Sequence, residues 1–278
     1  DTDPSLVCGT GILSLAQIAG VASSAQDFAL SVTNGSSYAS APSNSAFEPQ
    51  NAFTFEAWVY PTGCSDGGHH HVFRKEAVAS IDCVSNQWHY ILGNGAGGWY
   101  GGNWTNTGIS VKNNEWHHIA MTRSGSAGAI NFYLDGQLAY QGSATNAALG
   151  TNTNVFFLGS ADGGASYGWV GQIDEFRIYN TDRSASIATD MHSYGPIDTS
   201  GLQVYYDFNE GPVGSTGSGV IYNRASGAAS ATNLRVVGSP TYADVKSVAP
   251  DTSDATKNVV TFPRTYLTAQ GGWLPPAG

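Results

Sequence analysis

The chain has 278 residues, of which 41% are hydrophobic and only 12% are charged, and its formal net charge is −10. This size is enough for one large β domain or two small ones, and the hydrophobic fraction is enough for a substantial core. The negative charge argues against binding to nucleic acid or anionic membranes, and no run approaches the roughly eighteen apolar residues of a membrane-spanning helix, so we expect no membrane insertion. The chain begins at Asp1 without methionine, which suggests a processed product or a fragment of a longer protein.

Short strands separated by turns account for most of the chain. Strand-like alternation occurs in FTFEAWVYP (53–61), WHHIAMTR (116–123), NVFFLGS (154–160) and GWVGQIDEFRIYN (168–180). The Asp135-Gly136 step predicts a tight hairpin, because a type I′ turn requires positive φ at both central residues. The segment DRSASIATDMHS predicts a helix that Ser184 caps. Repeated short strands with glycine-rich turns are typical of a β-sandwich or barrel.

Three cysteines are too few for a disulfide-rich scaffold. Cys64 and Cys83 flank a polar stretch that a hairpin would close, and we expect them to form a disulfide. Cys8 would then be unpaired or bonded outside this chain. The alternative is three reduced thiols, but the polar, glycine-rich composition favours an oxidising location, extracellular or at a cell or virion surface.

The order of these segments resembles a known family. W-H-H-I, then F-Y-L-D-G, then I-D-E-F-R-I-Y is similar to the laminin G-like domain of the concanavalin A-like lectin and glucanase superfamily. Residues 201–242 also resemble a segment that follows in bacterial members. The resemblance implies an all-β fold, a two-sheet antiparallel jelly-roll β-sandwich over residues 27–250. Residues 1–26 would be an N-terminal extension, and residues 251–278 a linker or docking tail.

Glycoside hydrolysis is the enzymatic activity that this superfamily raises. A retaining hydrolase needs two carboxyl groups about 5 to 5.5 Å apart, which the glucanase branch supplies as E-x-D-x-x-E on one strand. No such motif occurs here, and Asp174 and Glu175 are adjacent, so on a regular strand they point to opposite faces. Motifs of zinc hydrolases, serine hydrolases and phosphate loops are also absent from the sequence. We therefore expect no enzymatic activity.

A structural calcium ion is the predicted cofactor, because calcium binds carboxylate, amide and carbonyl oxygens. The best candidate is Asp174, which shares the parity of Phe176 and is expected to face the core. Asn34, in the TNGSSY turn, is its expected companion. A cap on backbone N–H groups would satisfy Asp174 equally well. Glu175, on the opposite parity with Arg177, is expected to form a surface or half-buried ion pair instead.

A second candidate calcium locus is the loop ADGGASYGW, because its position resembles that of the loop where pentraxins place an acidic calcium cluster. Asp162 is the only carboxylate in this loop, so a site with two calcium ions is doubtful. Asp162-Gly163 is also typical of a simple turn. The consecutive His69, His70 and His71 are expected at an exposed hairpin tip, because three neighbours on a strand cannot converge on one metal ion.

Glycan binding is the functional hypothesis that the family raises. Sugar recognition uses exposed aromatic rings beside polar groups. The candidate residues come from LGNGAGGWYGGNWTN and from the later rim loop, and are Trp99, Tyr100, Asn103, Trp104, Tyr167 and Trp169. Burial of single tryptophans in the core is the alternative.

The sequence therefore predicts a non-catalytic extracellular binding or adhesion module, carbohydrate-binding and part of a larger surface protein. A structural subunit of a surface filament, capsid or envelope layer is the alternative. Its partners would be neighbouring surface-protein subunits rather than glycans, and the terminal segments would allow self-association.

Overall fold

The computed structural model describes residues 5–8, 11–14, 27–32, 36–164, 167–192 and 196–245. The side chains of 5–8, 11–14 and 101–103 fall outside that description. Among the described residues, no helix has both the length and the apolar character needed to span a membrane.

Strands make up nearly all of the regular structure. They are β1 (Ser5–Cys8), β2 (Gly11–Ser14), β3 (Phe28–Val32), β4 (Tyr38–Ala41), β5 (Ala52–Pro61), β6 (His70–Lys75), β7 (Ala79–Val84), β8 (Gln87–Gly93), β9 (Trp99–Ser110), β10 (His117–Ser124), β11 (Asn131–Leu134), β12 (Gln137–Gln141), β13 (Phe156–Leu158), β14 (Gly171–Tyr179), β15 (Leu202–Tyr206), β16 (Val220–Ile221), β17 (Leu234–Val237) and β18 (Thr241–Asp244). Within the described residues, the helical elements are α1 (Ile187–Asp190) and the 3₁₀ turns Ser45–Phe47 and Ser230–Thr232.

The strands form two large antiparallel sheets. The first sheet has the order β12-β11-β10-β5-β14-β3-β18, with β15 also paired to β14. The second sheet has the order β16-β17-β4-β13-β6-β7-β8-β9. The strands after residue 200 join both sheets, so the later segment belongs to the same body. Strands β1 and β2 pair separately. This arrangement is the jelly-roll sandwich that the family resemblance implies.

The core lies between the two sheets, and period-two alternation explains it. On β5, Phe53, Phe55 and Val59 belong to the main hydrophobic cluster, which also contains Phe73 and Ile81 of the second sheet. Successive strand side chains point to opposite faces, so every second residue of β5 turns inward. Burying these aromatic and aliphatic side chains from two facing sheets is what holds the layers together.

The outer face of the first sheet carries a smaller buried cluster under α1. Trp58 points there rather than into the main core, and its indole N–H donates to the carbonyl oxygen of Met191 at 2.9 Å. The helix is a single turn that Ser186, not Ser184, precedes. Ser184 instead donates its backbone N–H to the side chain of Asp182. The predicted helix is therefore present but shorter than its pattern suggested.

A β-bulge in β14 reverses the predicted orientation of Asp174. Asp174 lies opposite Trp58, but the register shifts before Arg177, which lies opposite Glu56. Because Ile173 is in the core cluster, Asp174 points to the other face of the sheet. The bulge then returns Phe176 to the core, with Glu175 at a positive φ of 51°. The expectation that Asp174 shares the core-facing row with Phe176 was wrong, because parity holds only along an unbulged strand.

Glu175 and Arg177 form an ion pair that is fully buried, not a surface or half-buried pair. Arg177 also donates to Glu56 at 3.1 Å, and the Tyr205 hydroxyl donates to Glu175 at 2.5 Å. Both members of the Glu175–Arg177 pair have side chains only 2% exposed. Several partners share the charges, which a buried ion pair requires if its desolvation is to be offset.

Two local predictions have direct structural counterparts. Asp135 and Gly136 have φ values of 50° and 77°, as a two-residue turn between β11 and β12 requires. Cys64 and Cys83 are joined by a disulfide with a Cα–Cα distance of 5.8 Å. Both cysteines lie in the core cluster, so the bridge ties the loop before β6 to β7.

Candidate functional site: a cleft on the outer face of the second sheet

Alternation along β7 separates a core face from a polar face. Ile81 and Cys83 belong to the core cluster, so Ser80 and Asp82 point to the outer face of the second sheet. The cross-strand partner of Asp82 on β8 is His89, and that of Ser80 is Ile91. The outer face of the second sheet therefore carries the polar side chains of Ser80, Asp82 and His89.

The side chains of the three consecutive histidines point in two directions: His69 and His71 towards Asp82, and His70 away from it. His71 lies opposite Asp82 in the register of β6 and β7, and a bulge follows it before Phe73. His69 is two residues earlier and reaches the same carboxylate, with its Nδ1 2.5 Å from Asp82 Oδ2. His70 turns away, with its ring nitrogens bonded to Gly168 O at 2.9 Å and Asp66 Oδ1 at 2.7 Å. The expected exposed hairpin tip is wrong, because His71 is fully buried under neighbouring rings.

A cleft of about 440 Å³ lies above these side chains. Its volume falls within the range of small-molecule sites. The lining comes from β6 and the residues that flank it, from β8 and β9, and from the loop after β13. It consists of His69, His71, Arg74, Glu76, Ile91, Trp99, Trp104, Ala161, Asp162 and Tyr167.

Trp104 is the central ring of the cleft. Its ring centre lies 4.6 Å from that of His69 and 5.2 Å from that of His71. The Arg74 guanidinium lies over the indole, 5.4 Å from the ring centre. Tyr167 completes the wall, with 42% of its surface exposed. Both rings contact the histidines and keep part of their surface exposed, which leaves ring surface available for stacking on a ligand.

Trp99 packs closely against the backbone at Gly93, and this contact positions its ring. Gly93 lies opposite Trp99 in the register of β8 and β9, and a Cβ at Gly93 would meet the carbonyl oxygen of Ala77 at 2.4 Å and the indole of Trp99 at 2.9 Å. The turn before Trp99 is held by Asn94, whose side-chain oxygen accepts the N–H groups of Ala96 and Gly98, each at 2.9 Å. The glycines in this stretch thus shape the turn that presents the ring.

Burial shifts the charge states at the floor of the cleft. Burial, assisted by the nearby positive charge of Arg74, lowers the pKa of His71 well below its ordinary value, so His71 is neutral. Burial also raises the pKa of Asp82, although the hydrogen bond from His69 opposes this. Arg74 itself is paired with Glu76.

The tautomer of His71 follows from its hydrogen bonds. The Ser80 hydroxyl donates to the carbonyl oxygen of Phe73 at 2.7 Å, so its oxygen accepts from His71 Nδ1 at 2.8 Å. A neutral imidazole that carries its hydrogen on Nδ1 has a lone pair on Nε2. His71 Nε2 is buried and has no hydrogen-bond partner among the described residues.

Part of the predicted sugar site converges at the cleft. Trp99, Trp104 and Tyr167 line it, together with Asp162 from the second predicted calcium locus. Asp162 accepts the backbone N–H of Gly164 at 2.8 Å, which is the turn interaction expected of it. The side chain of Asn103 lies outside the described residues.

Two predicted sugar-binding residues lie elsewhere. Trp169 was wrongly placed, because it is fully buried in the sandwich core and stacks on Trp88 with 6.1 Å between ring centres. Tyr100 packs against the core cluster, and its hydroxyl donates to the carbonyl oxygen of Ala148 at 2.6 Å. Neighbours on a strand cannot both face the cleft, which separates Tyr100 from Trp99.

Sequence reasoning missed His69, His71, Arg74 and Glu76 as cleft residues. The available signal was the spacing of His69 and His71, which puts two imidazoles on one strand face. Their partner Asp82 comes from the neighbouring strand, and a single segment does not reveal that pairing.

Calcium binding at Asp174 stays a prediction, since Asn34 lies outside the described residues. Asp174 Oδ1 accepts the backbone N–H of Glu175 at 2.8 Å, which supports the capping alternative. Asp162 lies beside the second sheet and Asp174 within the first, so the two do not share a strand or a loop.

Comparison with known proteins agrees with this architecture. No curated protein matches the sequence. A solved structure of a candidate carbohydrate-binding protein from Bacteroides ovatus is similar with a TM-score of 0.60 and 18% identity, over 79% of this chain and 60% of that protein. A heptameric SAP-like pentraxin from Limulus polyphemus has a TM-score of 0.43 and 13% identity, over 59% of this chain and 81% of its own. At 18% identity, the likeness to the Bacteroides ovatus protein shows the fold alone.

The family assignment comes from a sequence model. A laminin G-type family model, described as the concanavalin A-like lectin/glucanases superfamily, matches residues 33–187, more than half of the chain. The two-sheet antiparallel sandwich agrees with that match. The chain therefore belongs to the concanavalin A-like lectin/glucanases superfamily.

Proposed function

We propose that the chain is a non-catalytic carbohydrate-binding module that takes its sugar in the cleft above β6, β7 and β8. The observation that carries this proposal is the set of partly exposed rings, Trp99, Trp104 and Tyr167, around a cleft of about 440 Å³. Aromatic faces bind the C–H faces of sugars, and a mostly preformed site reduces the ordering cost of binding.

Polar groups beside the rings support a sugar rather than an apolar ligand. Arg74, Glu76 and Asp162 all line the cleft. The guanidinium can donate hydrogen bonds to sugar hydroxyls, and the two carboxylates can accept hydrogen bonds from them. These groups carry both signs of charge, which suits the hydroxyls of an uncharged sugar better than a strongly anionic one. The disulfide between Cys64 and Cys83 supports an oxidising, extracellular location for the module.

The superfamily includes hydrolases, so the non-catalytic part of the proposal needs its own support. The chain lacks the E-x-D-x-x-E motif of the glucanase branch. Within the cleft, Glu76 and Asp162 come from different loops rather than from one strand. We expect bound oligosaccharides to be recovered intact, and release of reducing ends by the wild-type chain would contradict this.

A glycan array with the full chain, followed by titration calorimetry on the sugars retained, tests the proposal. Tyr167→Ala should weaken binding by about 1 kcal/mol or more, because the sugar loses a stacked ring. Tyr222→Ala is the matched control, since Tyr222 is 44% exposed and Tyr167 42%, and Tyr222 does not line the cleft. Equal losses in both variants would contradict the site. Tight self-association without sugar binding would support the alternative of an assembly subunit.

A further inference from the structure

A group of metal-ligating side chains lies at the floor of the cleft. Among the residues that the structure describes, one set of three converges, and it consists of His69, His71 and Asp82. One ligand atom from each lies within 4.8 Å of the others. The set arises from strand geometry, because His71 is the cross-strand partner of Asp82 and His69 lies two residues before His71.

Two buried ligand atoms in this set form no hydrogen bond with the described residues. His71 and Asp82 are both fully buried, and neither His71 Nε2 nor Asp82 Oδ1 has a hydrogen-bond partner among the described residues. A buried polar atom without a hydrogen-bond partner destabilises the fold, so two in one place call for an explanation. A bound cation would satisfy both atoms.

Ser80 prepares His71 for this role. It accepts the Nδ1 hydrogen at 2.8 Å, and its own hydrogen is committed to the carbonyl oxygen of Phe73. The lone pair of the imidazole is therefore on Nε2. Metal-ligating histidines usually bond their other ring nitrogen to a fixed acceptor in this way.

We propose that His69, His71 and Asp82 bind one divalent transition-metal ion of the Zn²⁺ class. Two imidazole nitrogens and one carboxylate oxygen suit Zn²⁺ and its first-row neighbours, whereas Ca²⁺ takes six to eight oxygen ligands. Three protein ligands leave a coordination position for water or a ligand atom, and His69 and His71 both line the cleft. The proposal does not depend on sugar binding.

Two features of the surroundings limit the affinity. The nearest positive charge is Arg74, which repels a cation, but Glu76 pairs with it and the Trp104 ring lies beneath it. The Nδ1 of His69 already contacts Asp82 Oδ2 at 2.5 Å, so the imidazole must rotate or exchange this bond for the metal. Binding in the micromolar range, rather than the far tighter binding of a closed structural zinc site, is the expectation.

The experiment is a titration of the full chain with Zn²⁺, after treatment with a chelator and produced without a histidine tag. We expect one bound Zn²⁺ per chain, and visible absorption from Co²⁺ in the same site that Zn²⁺ abolishes. A wild-type chain that binds no Zn²⁺ below about 100 µM overturns the proposal, as does preference for Ca²⁺ over Zn²⁺.

Three variants locate the metal. In His71→Asn, the side-chain amide lies near the position of Nδ1 and can keep the hydrogen bond to Ser80, but Nε2 is removed. This variant should weaken Zn²⁺ binding at least about tenfold. Asp82→Asn should do the same. His70→Asn is the matched control, because His70 bonds to Gly168 and Asp66 instead. Equal loss in His70→Asn and His71→Asn contradicts the site. Far-UV circular dichroism without metal checks folding, and where Asp82→Asn does not fold, His69→Asn replaces it.

Discussion

Trp169 stacks on Trp88 inside the sandwich, with 6.1 Å between ring centres and an angle of 19° between ring planes. Trp88 comes from β8 of the second sheet, and Trp169 lies just before β14 of the first. The pair therefore joins the two layers inside the core. Trp88 and Trp169 thus support the fold, whereas Trp99 and Trp104 line the cleft.

Trp169→Ala should destabilise the fold strongly. Removing a fully buried indole leaves a cavity, and large-to-small changes of this kind cost about 3 to 5 kcal/mol. Urea denaturation followed by circular dichroism measures the free energy of unfolding. Trp99→Ala is the comparison, since its ring is partly exposed, and it should cost much less. Similar losses in the two variants would contradict the division into core and cleft tryptophans.

Ser80→Ala should weaken Zn²⁺ binding by about 10- to 100-fold, although Ser80 is not itself a metal ligand. Ser80 is a positioning residue, because its oxygen fixes the hydrogen of His71 on Nδ1. Zn²⁺ titration and the Co²⁺ absorption spectrum are the measurements. Ser80→Thr keeps the hydroxyl and should restore most of the affinity and the wild-type spectrum. A Ser80→Ala chain with wild-type affinity would show that the hydrogen bond is irrelevant to the metal.

Removing the disulfide should lower stability by about 3 kcal/mol. Cys64 and Cys83 lie 19 positions apart in the sequence, and the entropy of closing a loop of this length in the unfolded chain sets the magnitude. The Cys64→Ala, Cys83→Ala double variant and the wild type are compared by urea denaturation under oxidising conditions. Cys8→Ser controls for the loss of a thiol. A double variant as stable as the wild type would count against a stabilising bridge.

Asp174→Ala should lower the free energy of unfolding by about 1 to 3 kcal/mol whether or not calcium is present. The buried carboxylate accepts the N–H of Glu175, which sits at a positive φ, and the variant removes this hydrogen bond. Thermal melts in calcium and in chelator measure the loss. A melting temperature that chelator lowers in the wild type but not in Asp174→Ala would favour a calcium ligand instead.

His118 should make the fold less stable in mild acid. Burial, with a further contribution from Arg177, lowers the pKa of His118 to about 3, whereas an unfolded histidine titrates near about 6.5. The unfolded chain therefore binds the extra proton between these values. Stability is fully present above about pH 6.5 and falls towards pH 3, by up to about 1.4 kcal/mol per pH unit.

The His118→Gln variant should remove this part of the pH dependence. The charged groups that influence His118 are Glu56, whose Oε2 lies 4.0 Å from the ring, and Arg177, Asp135 and His192. The free energies of unfolding of wild type and variant are measured from pH 4 to 7, and their difference isolates His118. If the wild type and His118→Gln show the same dependence of the free energy of unfolding on pH, His118 is not the group responsible.

Local sequence patterns were sufficient for the strands and turns that depend on neighbours along the chain. Alternation placed Phe53 and Phe55 of β5 in one inward row, and Asp135-Gly136 formed the tight turn because both residues tolerate positive φ. Trp99, Trp104 and Tyr167 were identified as cleft residues from rings set among glycines. In each case the physical cause, side-chain parity or turn conformation, acts over a few residues.

Where the chain departs from regular alternation, the same reasoning failed. The bulge in β14 turned Asp174 to the opposite face, and the bulge after His71 left both Val72 and Phe73 in the core while Arg74 reached the cleft. A bulge depends on how two paired strands fit each other, so the sequence of one strand does not predict it.

By itself, the sequence determined the fold class, the family and a set of candidate rings. Only the tertiary structure decided which candidates share a site, since Asp82 meets His69 and His71 through the pairing of β6 with β7. It also decided that Trp169 is a core residue, since the ring that covers it comes from the other sheet. Cross-strand register and the contact between layers are long-range, and they are set by packing the whole core rather than by any one segment.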